Sequence, residues 1–169
     1  MSSLSLRLFP NRVTTFLFMA AAILAFVATA SSIVQAQRSK AQGDGPESSP
    51  LFSDFKGVRL GMSADEARKK LGNPHDKGDD VDIYVFNDNQ GAQVYYDKAK
   101  TVMAISIDFS NGASEIPSPK AVVGGEPDAR ADGSAFKMVR YPKAGYWVSY
   151  SKTAGASPTI TITMQKIDQ

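Results

Sequence analysis

One supersecondary pattern is written twice along this chain, and that repetition limits the architecture more than any single element does. The first copy starts as a short helix from Ser63 to Leu71, closed by Gly72, Asn73 and Pro74, and continues with strand-like runs centred on Ile83, Val94 and Ile105. Some fifty residues later, the segment Ser118 to Pro127 precedes three more runs, centred on Met138, Val148 and Ile162. A unit of this kind cannot bury its apolar face alone, so two copies are expected to share a core. The second copy is weaker. Ala121 stands where a capping glutamate would fall, and Gly124 and Gly125 end its helix after little more than a turn. A plain loop is the alternative reading of that segment.

The first helix carries its own start and stop signals. Ser63 with Glu66 three residues on spells a capping box, in which each side chain satisfies a free amide of the first turn. Asp65 and Glu66 sit at the positive end of the helix dipole, and Arg68, Lys69 and Lys70 at the negative end. Gly72 suits a left-handed cap and Pro74 blocks continuation. In the second copy, Ser118 and Pro119 form a fair N-cap and first-turn pair.

The strand-like runs alternate with period two. Val81, Ile83 and Val85 share one face of their run, and Tyr84 and Phe86 the other. Met103, Ile105, Ile107 and Phe109 oppose Ala104, Ser106 and Asp108, while Ile160, Ile162 and Met164 oppose Thr159, Thr161 and Thr163. Such patterns mark half-buried antiparallel strands, and the short turn-rich links at 87–91 and 97–100 suggest a meander. The expected fold class is therefore α+β. It comprises two tandem units, each a helix plus a three-to-four-stranded antiparallel sheet, with the helices packed on one face of the sheet. The boundaries expected are 53–112 for the first repeat and 113–169 for the second, together one globular domain.

Residues 1–36 read as a leader rather than as fold. Arg7 and Arg12 precede an uncharged apolar run from Phe16 to Ala30, and Val34, Gln35 and Ala36 give the small residues of a signal-peptidase site. The run is shorter than the ~20 residues that span a bilayer. Cleavage after Ala36 and a periplasmic or secreted protein are expected; the alternative is an inner-membrane anchor at 14–34. Residues 37–52, rich in Gly, Ser and Pro, read as a flexible linker.

Removing Arg7 and Arg12 from 19 basic residues leaves 17 against 17 acidic ones, so the remainder is formally neutral. That balance argues against nucleic acid, and membrane attachment is expected only if the leader stays uncleaved. The chain has no cysteine, which excludes disulfides, zinc–thiolate sites and thiol nucleophiles. A bacterial periplasm permits disulfides without requiring them.

Gly61, Met62, Ser63, Glu66, Leu71, Gly72 and Pro74, followed by the aromatic run from Ile83 to Phe86 and a hairpin, resemble the SmpA/OmlA (BamE-like) envelope proteins. The chain is similar as well to the beta-lactamase inhibitory protein family, built from two such units in tandem. The resemblance covers about 53–109 and, less closely, 113–169. It implies a helix-plus-sheet module without enzyme activity that binds other proteins through its sheet or loops. The BamE-like lipobox cysteine and the inhibitor's disulfides have no counterpart here, and no inhibitory residue is carried over.

His75, the sole histidine, stands near Asp76, Asp79, Asp80 and Asp82. The run lacks calcium-loop spacing, and no nucleophile elbow is present, so it reads as a solvated acidic loop. No catalytic, metal or cofactor residue is assigned. With helices over the face bearing Ile83, Ile105, Ile160 and Ile162, the opposite face would present Tyr84, Phe86, Tyr95 and Trp147. Thr161, Thr163, Ser106 and Ser149 would lie between them. Rigid aromatics amid small polar residues suit a protein interface. The expectation is an exported, non-enzymatic protein-binding module of the bacterial cell envelope, its protein partner held on Tyr84, Phe86, Tyr95, Trp147, Thr161 and Thr163. A structural envelope-assembly role and a small-ligand or metal-binding periplasmic role are the alternatives. Partner identity and oligomeric state are open.

Overall fold

The computed structural model describes residues 49–110 and 112–167. The leader, the cleavage site after Ala36 and linker residues 37–48 lie outside the described residues. In chain order the elements are α1 (Ala64–Leu71), β1 (Asp76–Lys77), β2 (Val81–Asn87), β3 (Gln90–Tyr96) and β4 (Val102–Phe109). They are followed by α2 (Pro119–Val123), β5 (Asp128–Ala129), β6 (Ala135–Tyr141), β7 (Tyr146–Lys152) and β8 (Ile160–Lys166).

The caps form as local chemistry dictates. The Ser63 hydroxyl accepts from the Glu66 amide while the Glu66 carboxylate accepts from the Ser63 amide at 3.0 Å. Gly72 adopts φ +87°, a left-handed value that a side chain would resist, and donates to the Arg68 carbonyl. Ser118 caps α2, which runs only five residues before Gly124.

The expected fold class is overturned by the sheet. All eight strands join one antiparallel sheet in the order β1-β2-β3-β4-β8-β7-β6-β5, with only two small helices among the described residues. There are no two separate helix-plus-sheet units with helices layered on each. The seam between β4 and β8 runs through six pairs, from Ala104↔Gln165 to Phe109↔Ile160. The physical reason is edge satisfaction: two smaller sheets would each leave a long apolar edge strand unpaired, and joining them removes both edges. The outer edges are instead blunted by the two-residue strands β1 and β5.

The helices are also too short to cover such a sheet. α1 buries Ala64 and Ala67, and α2 buries Val122 and Val123. Much of the cover comes from the irregular segment before α1, where Val58 is fully buried and Phe52, Phe55, Leu60 and Met62 pack on the core. That segment is tied to the start of β4, since Gly61 donates to the Val102 carbonyl and Val102 to that of Met62, both at 2.8 Å. Beneath it, Val94, Ile105, Ile107, Val148, Ile162 and Met164 have no exposed surface. Full burial of each such side chain contributes ~1.5–3 kcal/mol.

The parity of β2 is reversed from the sequence expectation. Asp82 and Tyr84 face the core and Ile83 faces out, because Asp82↔Val94 and Tyr84↔Ala92 pair with core positions while Ile83↔Gln93 does not. A one-residue change of parity moves a whole strand's side chains to the other face. Asp82, read in the sequence as part of a solvated loop, is fully buried. Its carboxylate takes Arg68 Nε at 2.8 Å and Arg68 Nη2 at 3.1 Å, the Tyr96 hydroxyl at 2.7 Å and the Gly78 amide at 3.3 Å. The Tyr84 hydroxyl, also buried, makes no hydrogen bond of standard geometry, although Tyr96 stands close enough to influence its ionisation.

Burial by itself would raise the Asp82 carboxyl; Arg68, Tyr96 and Gly78 outweigh it and hold the group below its ordinary 3.8. A depressed folded value means the pair's contribution is present above that ordinary value and is lost as pH falls through the folded one. Arg68→Met should lower unfolding free energy at pH 7 by about 3–5 kcal/mol, since a buried charge is left without its partner. Arg68→Met/Asp82→Leu should recover part of that loss. Urea unfolding of the three proteins checks both statements, and an Arg68→Met chain as stable as the parent would rule out the buried pair as a structural tie.

Candidate protein-binding face

The face of the sheet away from the helices is built in three rows that follow the strand register. The first runs Val81, Tyr95, Ala104, Gln165, Trp147, Arg140. The second runs Ile83, Gln93, Ser106, Thr163, Ser149, Met138, and the third Val85, Gly91, Asp108, Thr161, Ser151, Phe136. Tyr95 and Trp147 stand in one row across β4 and β8, three strand spacings or about 14 Å apart. Between them in that row lie Ala104 and Gln165, and the next row carries Ser106, Thr163 and Ser149.

Four of the six residues expected at the interface, Tyr95, Trp147, Thr161 and Thr163, do share this face, and each is half-buried. Tyr84 and Phe86 do not. Tyr84 is only 2 % exposed, and Phe86 stacks on it from the core side, 6.0 Å between ring centres, with Phe55 edge-on at 5.7 Å. They were misplaced because β2 turns its polar set inward around Asp82. In their stead the face displays Val85, 58 % exposed, and Met138, 42 % exposed, on the two outermost long strands.

Hydroxyls on the floor bond to one another and to acceptors. Ser106 Oγ and Thr163 Oγ1 lie 3.3 Å apart across the β4–β8 seam, and Thr161 donates to Asp108 Oδ1 at 2.7 Å. The Tyr95 hydroxyl donates to Gln93 Oε1. Asp108 was read in the sequence only as the polar phase of an apolar strand. Its signal was there, a carboxylate at an outward position of an otherwise uncharged strand run. Burial pushes its carboxyl up, with the Thr161 hydrogen bond opposing, and among the described residues no cation stands against it. Burial also raises the Tyr95 phenol, with the Asp108 charge adding to the effect.

Elsewhere, His75 and its neighbours Asp76, Asp79 and Asp80 are exposed, and no three His, Cys, Asp or Glu side chains among the described residues are grouped to hold a metal. An open groove of about 720 Å³ lies beside α1, lined by Ser63, Arg68, Lys77, Gly78, Asp79 and Lys100 among others. Two of its cations are already engaged, Arg68 with Asp82 and Lys100 with the Asp79 carbonyl at 2.6 Å. No helix among the described residues is long and apolar enough to cross a membrane.

Compared with known proteins, the chain matches no family model, no curated protein and no solved structure.

Because the folded Asp108 carboxyl is raised, its ionisation opposes folding, and stability falls as pH climbs from the ordinary carboxylate value of 3.8 through the folded one. Asp108→Asn keeps an acceptor for Thr161 and drops the charge. Its melting temperature at pH 7 should equal or exceed that of the parent, with the difference closing near pH 3. Thermal scans across that range decide it; an Asn variant that melts lower at pH 7 would mean the charge supports the fold.

Proposed function

We propose that this chain is an exported, non-enzymatic protein-binding module of a bacterial cell envelope, and that its protein partner docks on the open sheet face. The observation that carries the reading is the Tyr95 and Trp147 pair, held half-exposed on either side of a hydroxyl-lined floor, with exposed Val85 and Met138 at the margins. Aromatic rings on rigid strands supply contact area at little entropic cost, and small hydroxyl residues adapt their hydrogen bonds to the partner. The backbone beneath is a six-strand ladder, so the surface is presented with little freedom to collapse. Export rests on the leader-like composition of residues 1–36, and a role in binding is also what the SmpA/OmlA-like resemblance of Gly61 to Pro74 implies.

Affinity capture from the native envelope, with the parent chain beside a Trp147→Ala variant, tests the reading. The variant should keep the far-ultraviolet circular dichroism of the parent and lose its partner, with about 2 kcal/mol, roughly thirtyfold, removed from the measured affinity. A folded Trp147→Ala chain that retains every captured partner would remove this face from the binding surface.

A further inference from the structure

We infer that the partner approaches this face with a basic side chain, an arginine or lysine carried on a protein loop, which seats against Asp108. The inference rests on the docking surface proposed above and adds the chemistry of its occupant. Asp108 lies on β4, at the centre of the sheet, and its side chain is the only formally charged one that the four central strands turn to this face. Thr161 satisfies Oδ1, whereas Oδ2 takes no hydrogen bond from any described residue. One flank is open, because the residue paired with Asp108 on β3 is Gly91, which places no side chain there. The cations on the same face sit farther out, Arg140 on β6 at the opposite row and Arg130, just after β5, over the Phe136 ring at 5.7 Å. Neither is an ion-pair partner of Asp108.

A fold has no use for that charge. Asparagine would accept the Thr161 hydroxyl equally well, and a partly buried carboxylate without a cation opposes folding. A charged group that costs stability and has no cation partner among the described residues is complementary to an incoming cation. A guanidinium or ammonium can reach Oδ2 from the open Gly91 side, and a charge-assisted hydrogen bond there is stronger than a neutral one. Burial beneath the docked loop would make the pair stronger than one at an exposed rim.

The test uses a displayed library of disulfide-constrained heptapeptide loops, selected against the full-length chain and sorted by loss of binding to the Trp147→Ala variant. Loops that depend on Trp147 should be enriched in arginine or lysine, bind Asp108→Asn about 10- to 100-fold more weakly, and lose affinity as sodium chloride is raised. The salt series needs no variant, so the inference can be judged even where Asp108→Asn is poorly folded. Trp147-dependent loops that hold Asp108→Asn undiminished, or whose affinity ignores salt, overturn the cation inference and leave the docking surface standing. A selection that yields no Trp147-dependent loop overturns both.

Discussion

The ion pair between Arg68 and Asp82 holds β2 with Asp82 and Tyr84 turned to the core. Without it, the present parity of β2 would leave a buried carboxylate unpaired, at a cost of about 3–5 kcal/mol. With Arg68 reaching down from α1, and Tyr96 and Gly78 filling the remaining acceptor positions, Asp82 is accommodated and carries Tyr84 and Phe86 into the core. The same contact anchors α1, which buries only two alanines of its own. A second polar tie joins the halves of the sheet, where Asp97 in the β3–β4 turn accepts from Thr101 and from Lys166 on β8. Those hydrogen bonds, Thr101 foremost, hold its carboxyl down at about 2.

What could be read from the amino-acid order was whatever is local. The capping box at Ser63 and Glu66 needs only residues three apart, and the alternation of Ile105, Ile107 and Phe109 needs only one strand. Both were legible for that reason. The parity of β2 was not, since its cause is an arginine fourteen residues earlier whose partner cannot be recognised from periodicity. Joining the halves into one sheet was equally hidden: nothing within β4 or within β8 says that Ile105 will lie opposite Met164. The site divides along the same line. Tyr95, Trp147, Thr161 and Thr163 fell on one face because their strands keep the parity that hydrophobicity suggests, and Tyr84 and Phe86 did not because theirs reverses it.

The two faces of the sheet obey different rules. The core face is dry, with branched and aromatic side chains and one neutralised charge. The other carries hydroxyls bonded to one another, the rings of Tyr95, Trp147 and Phe136, and a carboxylate with no cation against it among the described residues. In a single-layer sheet, covered on one side by two short helices and a loop segment, the second face has no neighbour to satisfy among the described residues. Its composition is therefore free to respond to an outside surface, and it can hold groups such as Asp108 that the fold would not select.

The β4–β8 seam also sets an order of events in time. β2, β3 and β4 form a meander from neighbouring residues, and β6 and β7 meet across the short turn at Pro142–Ala144. The seam instead joins Ala104 to Gln165 across some sixty residues, and such loop closure is slow because its entropy is lost before its contacts are gained. Until Ile160–Lys166 arrives, Ile105 and Ile107 remain on an open edge. A chain made from its N-terminus thus carries a sticky half-sheet until its closing strand is delivered, which makes the interval before closure its period of greatest exposure to misassembly.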